Sequence, residues 1–291
     1  MALKTKGVIA FLLITFGFSW TAILVAAFAF DLSMVNPLVQ LPVAFAPAIG
    51  AIIVRKWVTR EDFGDAGSRL RVRPAWRYYL IAWLGPVLML AATCALAAAI
   101  AGYRPNLGSL GESALGIDLD LGFVLLIALA APVLAMPIFW GEESGWRGYL
   151  QQRVGRSPAG AALITGFIWA AWHYPLVFTD YSGDADHLLT LVTWTALIMA
   201  QAIVLAWLFR RSGSVWVPCL AHAGNNLIIG TFSFPLLVEQ GGLDRWEVNL
   251  LELVPLAIVG AWILLTSRLT DAEEYRAGAS APTLLESGVR D

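Results

Sequence analysis

The sequence predicts an all-α, polytopic membrane protein of about eight transmembrane helices, and three observations carry that reading. Hydrophobic residues make up 58% of the 291 and charged residues only 14%, whereas a soluble domain is roughly half apolar and about a quarter charged. The mean hydropathy is +0.70. Eight apolar runs are visible, at about 7–30, 36–54, 77–101, 121–141, 159–178, 188–209, 214–233 and 249–267, and most approach the roughly 20 residues that cross a bilayer as helix.

The first run is longer than a signal-peptide core and is followed by further spans, so it reads as a retained helix. Runs two and eight are short, which suits tilted or re-entrant segments. Pro47, Pro86, Pro132, Pro137 and Pro255 fall within runs and read as kinks, which neighbouring helices tolerate in membranes. Trp57, Trp76, Trp140 and Trp246 lie near run ends, as interfacial belts do. The connections alternate in charge. Lys4 and Lys6 precede run one, and Arg55, Lys56, Arg60, Arg69, Arg71, Arg73 and Arg77 crowd the second connection. Arg153 and Arg156 follow run four, Arg210 and Arg211 follow run six, and Arg268 and Arg276 follow run eight. The intervening connections carry Asp31, then Arg104 with Glu112, Asp118 and Asp120, then Asp180, Asp184 and Asp186, then Arg245 among acids. This is the positive-inside pattern with both termini cytoplasmic.

Residues 1–270 therefore form a single helical membrane domain, with 271–291 a polar cytoplasmic tail expected to be mobile. No connection is long enough for a soluble domain. Cys94 and Cys219 are the only cysteines, and both lie inside runs, so neither a disulfide framework nor a cysteine metal site is indicated. The basic 55–77 segment suits anionic lipid head groups rather than nucleic acid.

Three polar clusters interrupt this hydrocarbon: Glu142-Glu143-Ser144-Gly145-Trp146-Arg147, Trp169-Ala170-Ala171-Trp172-His173 and His222-Ala223-Gly224-Asn225-Asn226. A carboxylate at membrane depth costs about 2.5–3.5 kcal/mol on insertion scales. Counted at 1.5 Å per residue from the cytoplasmic ends of their runs, Glu142 lies about 16 Å deep, His173 about 22 Å and His222 about 14 Å. An interhelical hydrogen bond would account for either histidine alone. Helix formation does not require all three depths to overlap; a shared site between helices 4, 5 and 7 does. Glu143 and Arg147 are i,i+4, the spacing of a helical ion pair, which can be structural only. Glu142 points about 100° away, without a local partner, and is the candidate general base. His222 and Asn226 are also i,i+4, and their donors can hold a developing oxyanion.

Glu-Glu-x-x-x-Arg, aromatic-x-x-x-His and His-x-x-x-Asn, in that order over about 140–226, resemble the CAAX-prenyl-endopeptidase and bacteriocin-processing (CPBP) family of intramembrane peptidases. The motif core spans about 121–233. The resemblance implies an intramembrane endopeptidase acting on a membrane-associated peptide or protein, with Glu142 and His173 activating water and His222 and Asn226 stabilising the oxyanion. Glu143, Arg147 and Trp169 then support the site. Trp169 stands where the family usually has Phe, which implies a reshaped cavity wall. Members are often called metalloproteases, and two His with one Glu can in principle hold zinc. The chain has no His-Glu-x-x-His, so a metal-free, glutamate-dependent mechanism is expected. The alternative is a proton- or ion-coupled transporter that uses Glu142 and the histidines as a relay.

Overall fold

The computed structural model describes residues 3–103, 106–182 and 186–269; the tail 271–291, with Arg276, and also Arg104 and Asp184 lie outside the described residues. The chain is an all-α polytopic membrane protein, and among the described residues it contains no strand. The principal helices are α1 Leu3–Leu24, α2 Pro37–Ile53, α3 Val72–Ala101, α4 Leu110–Leu115, α5 Leu121–Gly145, α6 Pro158–His173, α7 His187–Ser212, α8 Trp216–Gly224, α9 Thr231–Ser233 and α10 Arg245–Leu265. Wide π turns extend α1 to Ala29, α2 to Thr59 and α5 to Leu150.

Among the described residues, seven helices are long and apolar enough to cross a membrane, from Leu3–Ala29 to Arg245–Leu265. Runs two and eight are among them, each longer than its apolar stretch suggested. The expected run 214–233 is not. It is instead a train of short helices, α8 and α9 alternating with π segments Asn225–Gly230 and Phe234–Glu239. His222, Asn225 and Asn226 dilute the hydropathy of this passage, and the π turns break its length. The motif that makes the passage chemically interesting also makes it a poor span by composition.

Local sequence explains where the motif helices begin and end. Ser157 caps α6 by accepting from the Gly160 amide, with Pro158 in the first turn, where its missing N–H costs nothing. Pro175 cannot continue an α-helix, and the chain tightens into a 3₁₀ turn over Tyr174–Phe178, leaving His173 as the last α-helical residue. Asp120 caps α5 through the amides of Gly122 and Phe123.

Packing then brings α5, α6 and α8 together. The most extensive contacts join α7 to α10, α2 to α5, α5 to α8, α6 to α7, α1 to α2 and α3 to α8. The α2–α5 contact depends on Gly141 and Gly145, a small-xxx-small pair of the kind that lets membrane helices approach backbone to backbone. A Cβ on Gly141 would lie 2.6 Å from the Ala44 carbonyl oxygen, and one on Gly145 would meet the Pro47 backbone at 2.6 Å. Gly141 and Gly145 bracket Glu142 and Glu143, so the residues that seat α5 on α2 are interleaved with the carboxylates of the first motif. Gly166 plays the same part for α6 against Ala202 and Met199 of α7, and Gly224 for α8 against Pro86 of α3.

Gly145→Ala is therefore expected to destabilise by about 1–3 kcal/mol, the cost of overpacking. Gly17→Ala, where an added methyl meets nothing within 4 Å, is expected to be neutral or stabilising. Thermal unfolding of both variants in one detergent checks the difference.

Candidate active site

The first motif lies at the end of α5. Glu142, Glu143 and Arg147 are all buried, and Arg147 Nη1 donates to Glu143 Oε1 at 2.8 Å. That same oxygen lies 2.9 Å from His222 Nδ1 of α8. One carboxylate oxygen thus serves a guanidinium on its own helix and an imidazole on another. An i,i+4 count finds the first partner; the second becomes visible only once α5 and α8 are packed.

Glu142 does have a partner, and it comes from α6. Trp169 Nε1 donates to Glu142 Oε2 at 2.8 Å. The backbone carbonyl of Trp169 also lies 2.8 Å from His173 Nδ1. A carbonyl only accepts, so His173 carries its proton on Nδ1 and leaves Nε2 as an acceptor when neutral. The Trp169 ring lies 4.4 Å from the Arg147 guanidinium, within cation–π range. It meets the rings of His222 at 5.0 Å and His173 at 5.6 Å, both edge-on. The Trp169 N–H reaches Glu142 while its ring meets both histidines, so the three groups share one neighbourhood. His222 is buried, whereas Asn226 is accessible, just inside the π segment that begins at Asn225.

Several contacts were not legible in the sequence. Phe139 packs on the His222 ring at 4.7 Å, Trp172 on His173 at 4.7 Å, and Trp194 of α7 on His173 at 5.4 Å. A tryptophan in an apolar span gives no sign of whether it meets a histidine or another helix. Trp169 and Trp172 are both buried, so neither lines an open mouth. Glu252, a third buried carboxylate, lies in α10, within the eighth apolar run.

In the basic segment, Arg55 turns inward. It pairs with Asp65 at 2.7 Å, donates to the Gly148 carbonyl at 3.0 Å and also reaches the Asp62 carbonyl. Lys56, Arg60, Arg69, Arg71, Arg73 and Arg77 remain exposed, beside exposed Trp57 and Trp76.

Among the described residues, no three His, Cys, Asp or Glu side chains are grouped so as to hold a metal ion. Nδ1 of His222 is engaged by Glu143, Nδ1 of His173 by a carbonyl and Oε2 of Glu142 by an indole N–H, which leaves the second donor atom of each of these side chains for chemistry.

Glu143→Gln is expected to cost about 3–5 kcal/mol, because it leaves the buried Arg147 charge uncompensated. Replacing Glu143 and Arg147 together by apolar residues is expected to recover most of that stability. It removes the acceptor for His222 as well, so folding returns without function. Unfolding midpoints of the two single variants and the double variant measure the coupling directly.

Comparison with known proteins points to one family. Residues 118–228 match the model for Rce1-like type II CAAX prenyl endopeptidases. CAAX prenyl protease 2 of Methanococcus maripaludis is 28% identical over 134 residues, a stretch covering 43% of this chain and 45% of that protein. The chain thus matches less than half the length of this curated relative. The matched core holds every residue of the three polar clusters, and over that core the chain is similar to the Rce1-like type II CAAX prenyl endopeptidases.

Proposed function

We propose that the chain is an intramembrane endopeptidase that hydrolyses a peptide bond in a membrane-associated substrate, of prenylated, signal-peptide or bacteriocin type. The observation that carries this reading is the convergence of Glu142 and His173 on Trp169, with Glu143 and His222 bonded to each other beside them. The Rce1-like core supports it.

Glu142 keeps Oε1 as the oxygen not bonded to Trp169, and this atom takes a proton from water as the water oxygen attacks the scissile carbonyl carbon. His173 Nε2 accepts a hydrogen bond from the second water hydrogen and so orients the nucleophile. The carbonyl π electrons move to oxygen, and the oxyanion is met by His222 and Asn226. With Nδ1–H of His222 engaged by Glu143, a donor at Nε2 requires the doubly protonated ring. The ionised Glu143 supports that form. Glu142 then returns its proton to the leaving amine as the C–N bond breaks. Arg147 balances Glu143, so Glu142 and a charged His222 also balance each other. No step requires a metal.

The positive-inside distribution supports a site that opens toward the cytosol, with both termini on that side. The exposed basic residues from Lys56 to Arg77, with Trp57 and Trp76, suit an anionic leaflet. Substrate would reach the site along the membrane.

Glu142→Gln cannot accept the proton and is expected to lower hydrolysis at least about a hundredfold, with insertion and folding retained. Cleavage of a fluorogenic peptide by purified wild-type and variant protein measures this, and wild-type turnover in the variant would remove the mechanism. The relay alternative predicts transport dependent on a proton gradient and no cleavage.

A lipid-anchored peptide in vesicles is expected to be cut far faster than its water-soluble copy, and exhaustive chelation is expected to leave the rate intact. Equal rates for the two peptides would reject access along the membrane. Loss on chelation that zinc restores would replace the glutamate-only mechanism with a metal-dependent one.

A further inference from the structure

Among the described residues, the indole N–H of Trp169 is the one hydrogen-bond donor to Glu142, and a phenylalanine at this position would have none. We propose that Trp169 is a positioning residue for the general base: its Nε1–H holds Glu142 Oε2 and leaves Oε1 to take the proton. This rests on the peptidase reading above and assigns position 169 a task beyond shaping the cavity.

Four observations support the assignment. Trp169 and Glu142 are both buried, so water competes little for the bond. At 2.8 Å from nitrogen to oxygen, the contact falls within the short range of hydrogen bonds to charged acceptors. The ring is fixed independently of Glu142, with the Arg147 guanidinium 4.4 Å from its centre and the His222 ring at its edge. The Trp169 main chain is fixed as well, because its carbonyl engages His173 Nδ1. The donor therefore has little freedom to follow a wandering carboxylate; the carboxylate must come to it. A glutamate has three side-chain torsions to restrain, and a base misplaced by about 1 Å can cost two orders of magnitude in rate. Anchoring one oxygen also distinguishes two otherwise equivalent atoms, so the proton is taken from a single direction.

Two substitutions separate the N–H from the ring. Trp169→Phe keeps an aromatic and removes the donor. Incorporation of 3-benzothienylalanine at 169 keeps the bicyclic shape and replaces the N–H with sulfur. Both are expected to lower kcat by about 10- to 100-fold, the range for a hydrogen bond to a charged group, with KM within about twofold, as when an interaction specific to the transition state is lost. The unfolding midpoint of the benzothienyl protein is expected to match wild type, so the result stands even if the phenylalanine variant packs poorly. In ¹⁵N spectra, the indole resonance that disappears in Trp169→Phe is expected to shift in Glu142→Gln, a readout that needs no turnover.

Full kcat in the benzothienyl protein would overturn the proposal, as would a rise in KM with kcat unchanged, which would make Trp169 a wall. An indole resonance indifferent to Glu142→Gln would overturn it too. Those results would leave the peptidase reading standing. Absence of peptide cleavage by the unmodified protein would remove that reading and the positioning role with it.

Discussion

A single carboxylate oxygen joins two of the three helices that matter. Glu143 Oε1 accepts from Arg147 within α5 and from His222 on α8, and all three side chains are buried. Bringing such charges out of water is costly, and the cost is recovered only if each finds its partner. The cluster is therefore weak evidence for stability but strong evidence for register. If α8 slides or rotates, His222 leaves the oxygen and the Glu143–Arg147 pair loses its third member. The orientation of His222, and hence of any donor it presents, follows from an ion pair that a search for catalytic groups would pass over.

The bond would have little meaning if the helices were not already close. Helix association in a bilayer gains little from hydrophobicity and depends on contact at short range. Glycines provide that contact on each motif helix, against α2, α7 and α3 respectively. On α5 the glycine face and the carboxylate face share five residues, Gly141 to Gly145. The side with no side chains meets α2, and the side with charges is left to meet α6 and α8. Packing and chemistry are thus encoded in the same short segment, and a substitution there tends to disturb both.

Seven of the eight expected spans and the helical class were legible because hydropathy is a property of segments. The Glu143–Arg147 contact was legible because i,i+4 spacing is a property of one helix. What escaped were contacts between helices: His222 on Glu143, the indole of Trp169 on Glu142, the rings of Phe139 and Trp194 on the histidines. The i,i+4 spacing of His222 and Asn226 did not foretell their unequal burial: the imidazole is buried and the amide accessible, where the chain passes into a π segment from Asn225. Glu252 lies inside the run 249–267, and its burial could not be read from its neighbours in sequence.

Trp169 touches the two proposed water-activating residues through different parts of itself. Its side chain reaches Glu142; its main chain reaches His173. Every amino acid brings a carbonyl, so the histidine contact survives any replacement that leaves the helix intact. Mutagenesis at this position therefore reports on the side-chain contacts, while the main-chain bond to His173 persists. An exchange between phenylalanine and tryptophan removes or restores the donor to Glu142 and reshapes the ring contacts with Arg147, His222 and His173, yet leaves the backbone bond to His173 in place.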